Sequence, residues 1–183
     1  MKRSRRVLLV CHCVLNANSR IEGLARYEGV HPIVAELRER GYGLVQLPCP
    51  EFVFDGLQRP PRALEDYDTP EYRSLCRRLA EDIERDVSAY ERDGVHVEAV
   101  VGVEGSPSCG VSITNTARGA ERTGAVSVRA PGAGVFISVL RERLGPRGVA
   151  FVGVDSHEAD LGVASVLEAL GDPGDGPASP RQP

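Results

Sequence analysis

RVLLVC, residues 6–11, runs straight into HCVL, residues 12–15. After Arg6 the run is apolar without a break. A strand with one wet face alternates apolar and polar residues; an unbroken run is the pattern of a strand covered on both faces, as in a parallel sheet. The pattern returns in VEAVVGVE (97–104) and, shorter, in GLVQLP (43–48) and GVAFVGVD (148–155). Helical spacing fills the intervals. HPIVAELRERGYG (31–43) places Ile33, Val34 and Leu37 on one stripe, with Gly41 set to end the helix. Thr69-Pro70-Glu71 reads as a helix start, with Thr69 as N-cap and Pro70 in the first turn. Apolar residues follow at 72, 75, 79, 83, 87 and 90. GAGVFISVLRERLG (132–145) and HEADLGVASVLEALG (157–171) read as further helices. Residues 50–69, broken by PPR and YDTP, read as loop. The alternation predicts an α/β chain: a Rossmann-like open, mainly parallel sheet with helices on both faces. We expect one domain over residues 1–170 and a disordered Pro/Gly/Ser-rich tail over 171–183.

The net charge of −4 gives no electrostatic case for nucleic acid. KRSRR (2–6) reads as a solvated N-terminus. No apolar run approaches the roughly 18 residues of a membrane span. A cytoplasmic protein is expected, with neither a membrane nor a nucleic acid as partner. The cytosol keeps thiols reduced, and five cysteines is an odd count, so a disulfide framework is not expected.

The placement of the cysteines is informative. Cys11 and Cys13 follow the first strand, Cys49 the second and Cys109 the third. Parallel strands end on one edge of a sheet, and that edge carries the ligand crevice in open α/β folds. Cys13, Cys49 and Cys109 should therefore converge. Cys11 continues the strand and reads as a packed or flanking residue. Cys76 lies on the apolar stripe of the long helix and reads as core. Three thiolates suit a [4Fe–4S] cluster with one open iron, or a zinc site completed by water. The spacing favours the cluster, because zinc sites usually show close-set pairs and Cys49 and Cys109 stand alone. Glu51, two residues past Cys49, is placed to move protons near such a centre. GSPSCG (105–110) supplies the hydroxyls of Ser106 and Ser108, and Gly105 and Gly110 allow a tight turn. The polar VSITNTARGAERTG (111–124) is suited to a lid. Asn16, Asn18, Arg20 and Glu22 either orient a polar substrate or make turns. The four histidines read as structural.

Taken together, CVLNANSRIEG, LPCPEF followed by GLQRPPR, and GSPSCG resemble the thiouracil desulfidase family of small bacterial iron–sulfur proteins. The wording is nearer to a divergent desulfidase-related branch. The resemblance runs in order from residue 6 to about 155. It implies that Cys13, Cys49 and Cys109 hold a [4Fe–4S] cluster whose fourth iron takes the sulfur of a thiocarbonyl. It implies that Glu51 and a serine, Ser106 before Ser108, assist by proton transfer. The net reaction would turn C=S into C=O and release sulfide. RIEG replaces the family's RYDG and VLN its LLG, so the implied substrate is a small thiolated compound, a thiolated nucleobase being one example, and these changes leave its identity open. A non-catalytic iron–sulfur or sulfur-carrier protein is the alternative from another class. A zinc- or thiol-dependent hydrolase is a third.

Overall fold

The six residues Arg6–Cys11 form β1, at the centre of a four-stranded parallel sheet. The structure, a computed structural model, describes residues 3–118, 127–158 and 160–171. β2 (Gly43–Leu47) and β3 (His96–Val103) flank β1, and β6 (Ala150–Val154) lies outside β3. Every residue from Val7 to Cys11 is buried. Successive strand residues point to opposite faces, so both faces of β1 are covered.

The chain steps from β1 outward to β2, then back across β1 to β3 and on to β6. Right-handed crossovers taken in opposite directions put their helices on opposite faces. α2 (Ile33–Glu39) serves the first crossover; α5 (Pro70–Arg92) and α6 (Val135–Leu144) serve the others. α5 packs over the face that carries Leu9, Val45 and Leu47, with Leu79 and Ile83 turned inward. α6 lies against α5, where Arg143 reaches Glu84 at 2.7 Å and Glu81 at 3.0 Å. The Arg40 guanidinium that ends α2 donates to the carbonyls of Leu167 and Gly171, binding it to α7 (Val163–Leu170).

Local expectations translate into local geometry. Thr69 caps α5, its hydroxyl accepting the Tyr72 N–H at 3.3 Å. Gly41 follows α2 at φ +81, and the Gly41 and Tyr42 N–H groups donate back to Arg38 and Leu37. That pair of bonds is a Schellman stop.

Three expectations change. Residues 50–69 hold two short helices, α3 (Pro50–Asp55) and α4 (Leu64–Tyr67), rather than loop alone. The prolines separate these helices: Pro50 starts α3, Gly56 at φ +83 ends it, and Asp66 accepts the Ala63 N–H ahead of α4. The last helix is shorter than expected, because Leu161 and Gly162 have left-handed backbones (φ 58 and 75). The polar stretch 111–124 contributes strand β4 (Ile113–Thr116), which pairs antiparallel with β5 (Val128–Pro131) beyond it. Residues 119–124 of that stretch and residues 172–183 of the expected tail lie outside the described residues. Among the described residues no helix is long and apolar enough to cross a membrane.

His31 is 1% exposed. Its Nδ1 accepts the Ile33 N–H, and its Nε2 is sealed from solvent without a well-formed hydrogen bond. Burial lowers its pKa to about 4. The folded state therefore resists a proton that the unfolded chain accepts near pH 6.5. Stability should be full above about pH 6.5 and fall by on the order of 3 kcal/mol as pH drops towards 4. Urea denaturation across that window checks this: the wild type should lose stability relative to His31→Gln, and parallel curves would refute the assignment.

Candidate functional site

β1 ends at Cys11, and the chain turns at once into the single helical turn α1 (His12–Leu15). Cys13 thus sits in a helical turn directly past the strand. His12 points outward to the edge of Phe52. The Tyr27 hydroxyl donates to the Cys13 carbonyl at 2.7 Å, and Arg20 donates to Tyr27. Asn16 and Asn18 bond to each other and make the turn. Glu22 is exposed, while Arg20 faces the crevice.

Cys49 lies two residues beyond β2 and precedes Pro50, the first residue of α3. Glu51 therefore falls in the first helical turn, buried beside Cys49. Cys109 belongs to the turn that leaves β3. Ser106 Oγ accepts the N–H groups of Cys109 (2.9 Å) and Ser108 (3.2 Å). Gly105, at φ +80, makes the first bend. The turn then docks on the start of α6: Val135 N–H donates to Pro107 O, Phe136 and Ile137 N–H to Ser108 O, and Gly134 N–H to Gly110 O. These are N–H groups that a helix cannot satisfy internally. Glu104 closes the far side by accepting from the backbone of Val111, Ser112 and Ile113.

One cavity of about 180 Å³ at this edge is lined by Cys13, Cys49, Cys109, Glu51 and Ser106 together. Ser106 Oγ donates to Glu51 Oε1 at 3.2 Å. A hydroxyl has one proton and two acceptor sites. Both acceptor sites of Ser106 are taken by the backbone, so its proton is directed at Glu51. Ser108 does not line the cavity. It is fully buried, accepts from the Tyr72 hydroxyl at 2.8 Å, and lowers the Cys109 thiol by hydrogen bonding. Cys76 is fully buried in α5. A wider depression at the opposite edge of the sheet, between Arg3, Arg5 and Asp93, carries no thiol.

Burial pushes the Cys13 thiol up to about 12, with the charges of Cys109, Cys49 and Glu51 adding to the shift and Arg20 opposing it. Burial likewise raises Cys49 to about 12, again with Cys109 and Glu51 adding. Contact with Cys11 comes first in raising Cys109 well above its usual range, and burial second. The register explains the contact. Val10 pairs with Val101, so Cys11 lies level with Gly102. A side chain at Gly102 would strike the Cys109 carbonyl at 2.5 Å. Glycine there lets Cys109 settle over the strand ends beside Cys11.

The donor set is of the kind that suits an iron–sulfur centre. Among the described residues no three of His, Cys, Asp or Glu stand close enough to hold one metal ion. Yet three thiols sense one another around a space worth roughly six waters at about 30 Å³ each. Thiolates are soft ligands, suited to iron–sulfur centres.

A family model described as "Putative 2-thiouracil desulfurase" matches residues 6–130. The chain belongs to that family. The match runs from β1 into β5 and takes in Cys13, Cys49, Glu51, Ser106 and Cys109. An uncharacterised protein of Methanocaldococcus jannaschii, MJ0003, is 39% identical over 110 residues, 60% of this chain and 70% of that protein. The solved structure of a [4Fe-4S]-dependent thiouracil desulfidase, TudS, superposes with a TM-score of 0.52 at 22% identity, over 88% of this chain and 99% of that one. At that identity the likeness is one of fold.

Several residues of this desulfurase-family site carry no local sequence signal. Arg59 is 6% exposed; its Nε donates to Glu51 Oε2 at 3.1 Å and its Nη2 to the Ser19 carbonyl at 2.9 Å. Burial opposes its charge most, but Glu51, Cys49 and Tyr67 together hold its pKa up. Arg129 pairs with Asp155, and His157 stands at the rim. Arg20, Arg26 and Arg62 complete a wall of five arginines against two glutamates. Arg59, Arg62 and Arg129 are each paired with a carboxylate, of Glu51, Asp55 and Asp155 respectively.

Proposed function

We propose that this chain is a [4Fe–4S]-dependent desulfidase that converts the thiocarbonyl of a small thiolated compound to a carbonyl. One water is consumed: its oxygen replaces the sulfur on carbon, and its two protons leave with the sulfur as hydrogen sulfide. Cys13, Cys49 and Cys109 would hold the cluster, leaving one iron without a protein ligand. When bound, that centre supplies a Lewis acid for the substrate sulfur. The observation that carries the reading is the Glu51–Ser106 hydrogen bond beside the three thiols in one cavity. Glu51 Oε1 accepts a proton from the attacking water and returns one to the departing sulfur. Ser106, tied to two backbone amides, keeps that oxygen aimed. The polar lining of the cavity suits a small polar thiolated compound, of which a thiolated nucleobase is one example.

The test begins with iron and acid-labile sulfide per chain after anaerobic reconstitution. About four of each is the expectation for this centre. The loaded protein is then given thiolated bases and their derivatives, and sulfide is measured. A loaded protein that releases none would favour the carrier reading. Zinc in place of iron would overturn the cluster.

A further inference from the structure

Arg59 stands apart from the other cavity arginines. Arg62 is paired with Asp55 and Arg129 with Asp155, each outside the thiols. Arg20 lies over the Tyr27 ring, and Arg26 is exposed. The Arg59 side chain is only 4% exposed and is held from three sides. Its Nη2 meets the Ser19 carbonyl beyond α1, its Nη1 the Gly56 carbonyl that ends α3 (3.3 Å), and its Nε the Glu51 carboxylate. A planar fork fixed at both Nη atoms leaves Nε one place to point.

We propose that Arg59 is a positioning residue that presents Glu51 Oε1 to the reacting centre and serves as the buried counter-charge of the cluster beside Cys49. This rests on the desulfidase reading above. The geometry carries the first part. With Oε2 occupied by Arg59, the carboxylate has one oxygen left, and it is the one bonded to Ser106. Without the fork, the carboxylate is free to rotate about its last bond. The second part follows from burial. Three thiolates and Glu51 place several negative charges around one cavity, and Arg59 is the buried cation among them.

Two variants separate the tasks. Arg59→Lys keeps the charge and loses the fork, since one ammonium cannot meet Glu51, Ser19 and Gly56 with fixed geometry. Arg59→Met loses both. Each is reconstituted anaerobically as the full chain and read three ways: iron content, midpoint potential of the cluster, and kcat and KM for a thiolated compound that the wild type turns over. Arg59→Lys should keep the wild-type potential and KM, while kcat falls by about 10- to 100-fold. Arg59→Met should lose kcat further and shift the potential to more negative values, because an added electron is no longer met by a buried cation. Wild-type kcat in Arg59→Lys would overturn the positioning role. An unchanged potential in Arg59→Met would overturn the counter-charge role. If Arg59→Met fails to load iron, Arg59→Gln, which keeps hydrogen bonding without charge, gives the potential reading. A wild type that loads iron but turns over nothing overturns the desulfidase reading and, with it, the positioning role, while the potential still decides the counter-charge.

Discussion

Glu51→Gln should load iron as the wild type does and release sulfide about 10²- to 10⁴-fold more slowly, the usual worth of a positioned acid–base group. The amide has nearly the same shape but cannot satisfy both neighbours. Arg59 donates to one oxygen and Ser106 to the other. A glutamine has one acceptor and one donor end. If its amide nitrogen faces Arg59, two donors oppose each other. If it faces Ser106, the hydroxyl has no lone pair left, because the Ser108 and Cys109 amides hold both. The variant therefore loses the proton acceptor and one of the two contacts, to Arg59 or to Ser106, while leaving the three cysteines in place. Iron content, the visible spectrum and single-turnover sulfide release on one preparation make the comparison. A loaded variant with wild-type turnover would remove Glu51 from the chemistry. Ser106→Ala is a poorer probe. It strips the acceptor from two amides in the Cys109 turn, at about 1–3 kcal/mol for an unsatisfied buried group, and so mixes loading with chemistry.

Gly134→Ala should be among the most damaging single methyls in the described chain. Its Cβ would lie 2.3 Å from the Ser108 carbonyl carbon, 2.4 Å from the Ser108 oxygen and 2.8 Å from the Cys109 nitrogen. All three are backbone atoms in a turn already bound to the start of α6, so no rotamer can yield. Either α6 or the Cys109 turn must move. A loss of about 3 kcal/mol or more is expected, at the upper end of overpacking. Iron loading should fall with it, because Cys109 shifts. Gly145→Ala is the control. That residue has ordinary helical angles (φ −57, ψ −45) and open space at its Cβ position, so the change should be neutral or stabilise by up to about 1 kcal/mol. Urea midpoints and iron content for the pair read the result. A Gly134→Ala protein as stable as the wild type would mean that the turn and helix are not locked as the backbone bonds require.

The elements that were legible beforehand are those whose cause is local. An unbroken apolar run encodes burial on both faces, and Val7–Cys11 is buried throughout. Thr69-Pro70 and Gly41 encode their helix ends in side-chain oxygen, ring and missing Cβ. Parallel strands share a carboxyl edge, so cysteines placed just after three strands were bound to meet there. The stretch 50–69 was harder. Prolines read as breakers also serve as helix starts, and only the fold shows which role Pro50 takes.

The sequence by itself determined the α/β class and the edge on which Cys13, Cys49 and Cys109 meet; that Glu51 works with a serine from GSPSCG came only as what the family resemblance implies. Only the tertiary structure chose between the serines, setting Ser106 against Glu51 and turning Ser108 towards Tyr72. It alone set Arg59 behind Glu51, Cys11 against Cys109, and the start of α6 under the Cys109 turn. The reason is physical. Strand and helix signals are periodic and travel with the chain. These contacts arise where separate segments are brought within hydrogen-bonding reach of one another, and no local pattern encodes which atoms face across that gap.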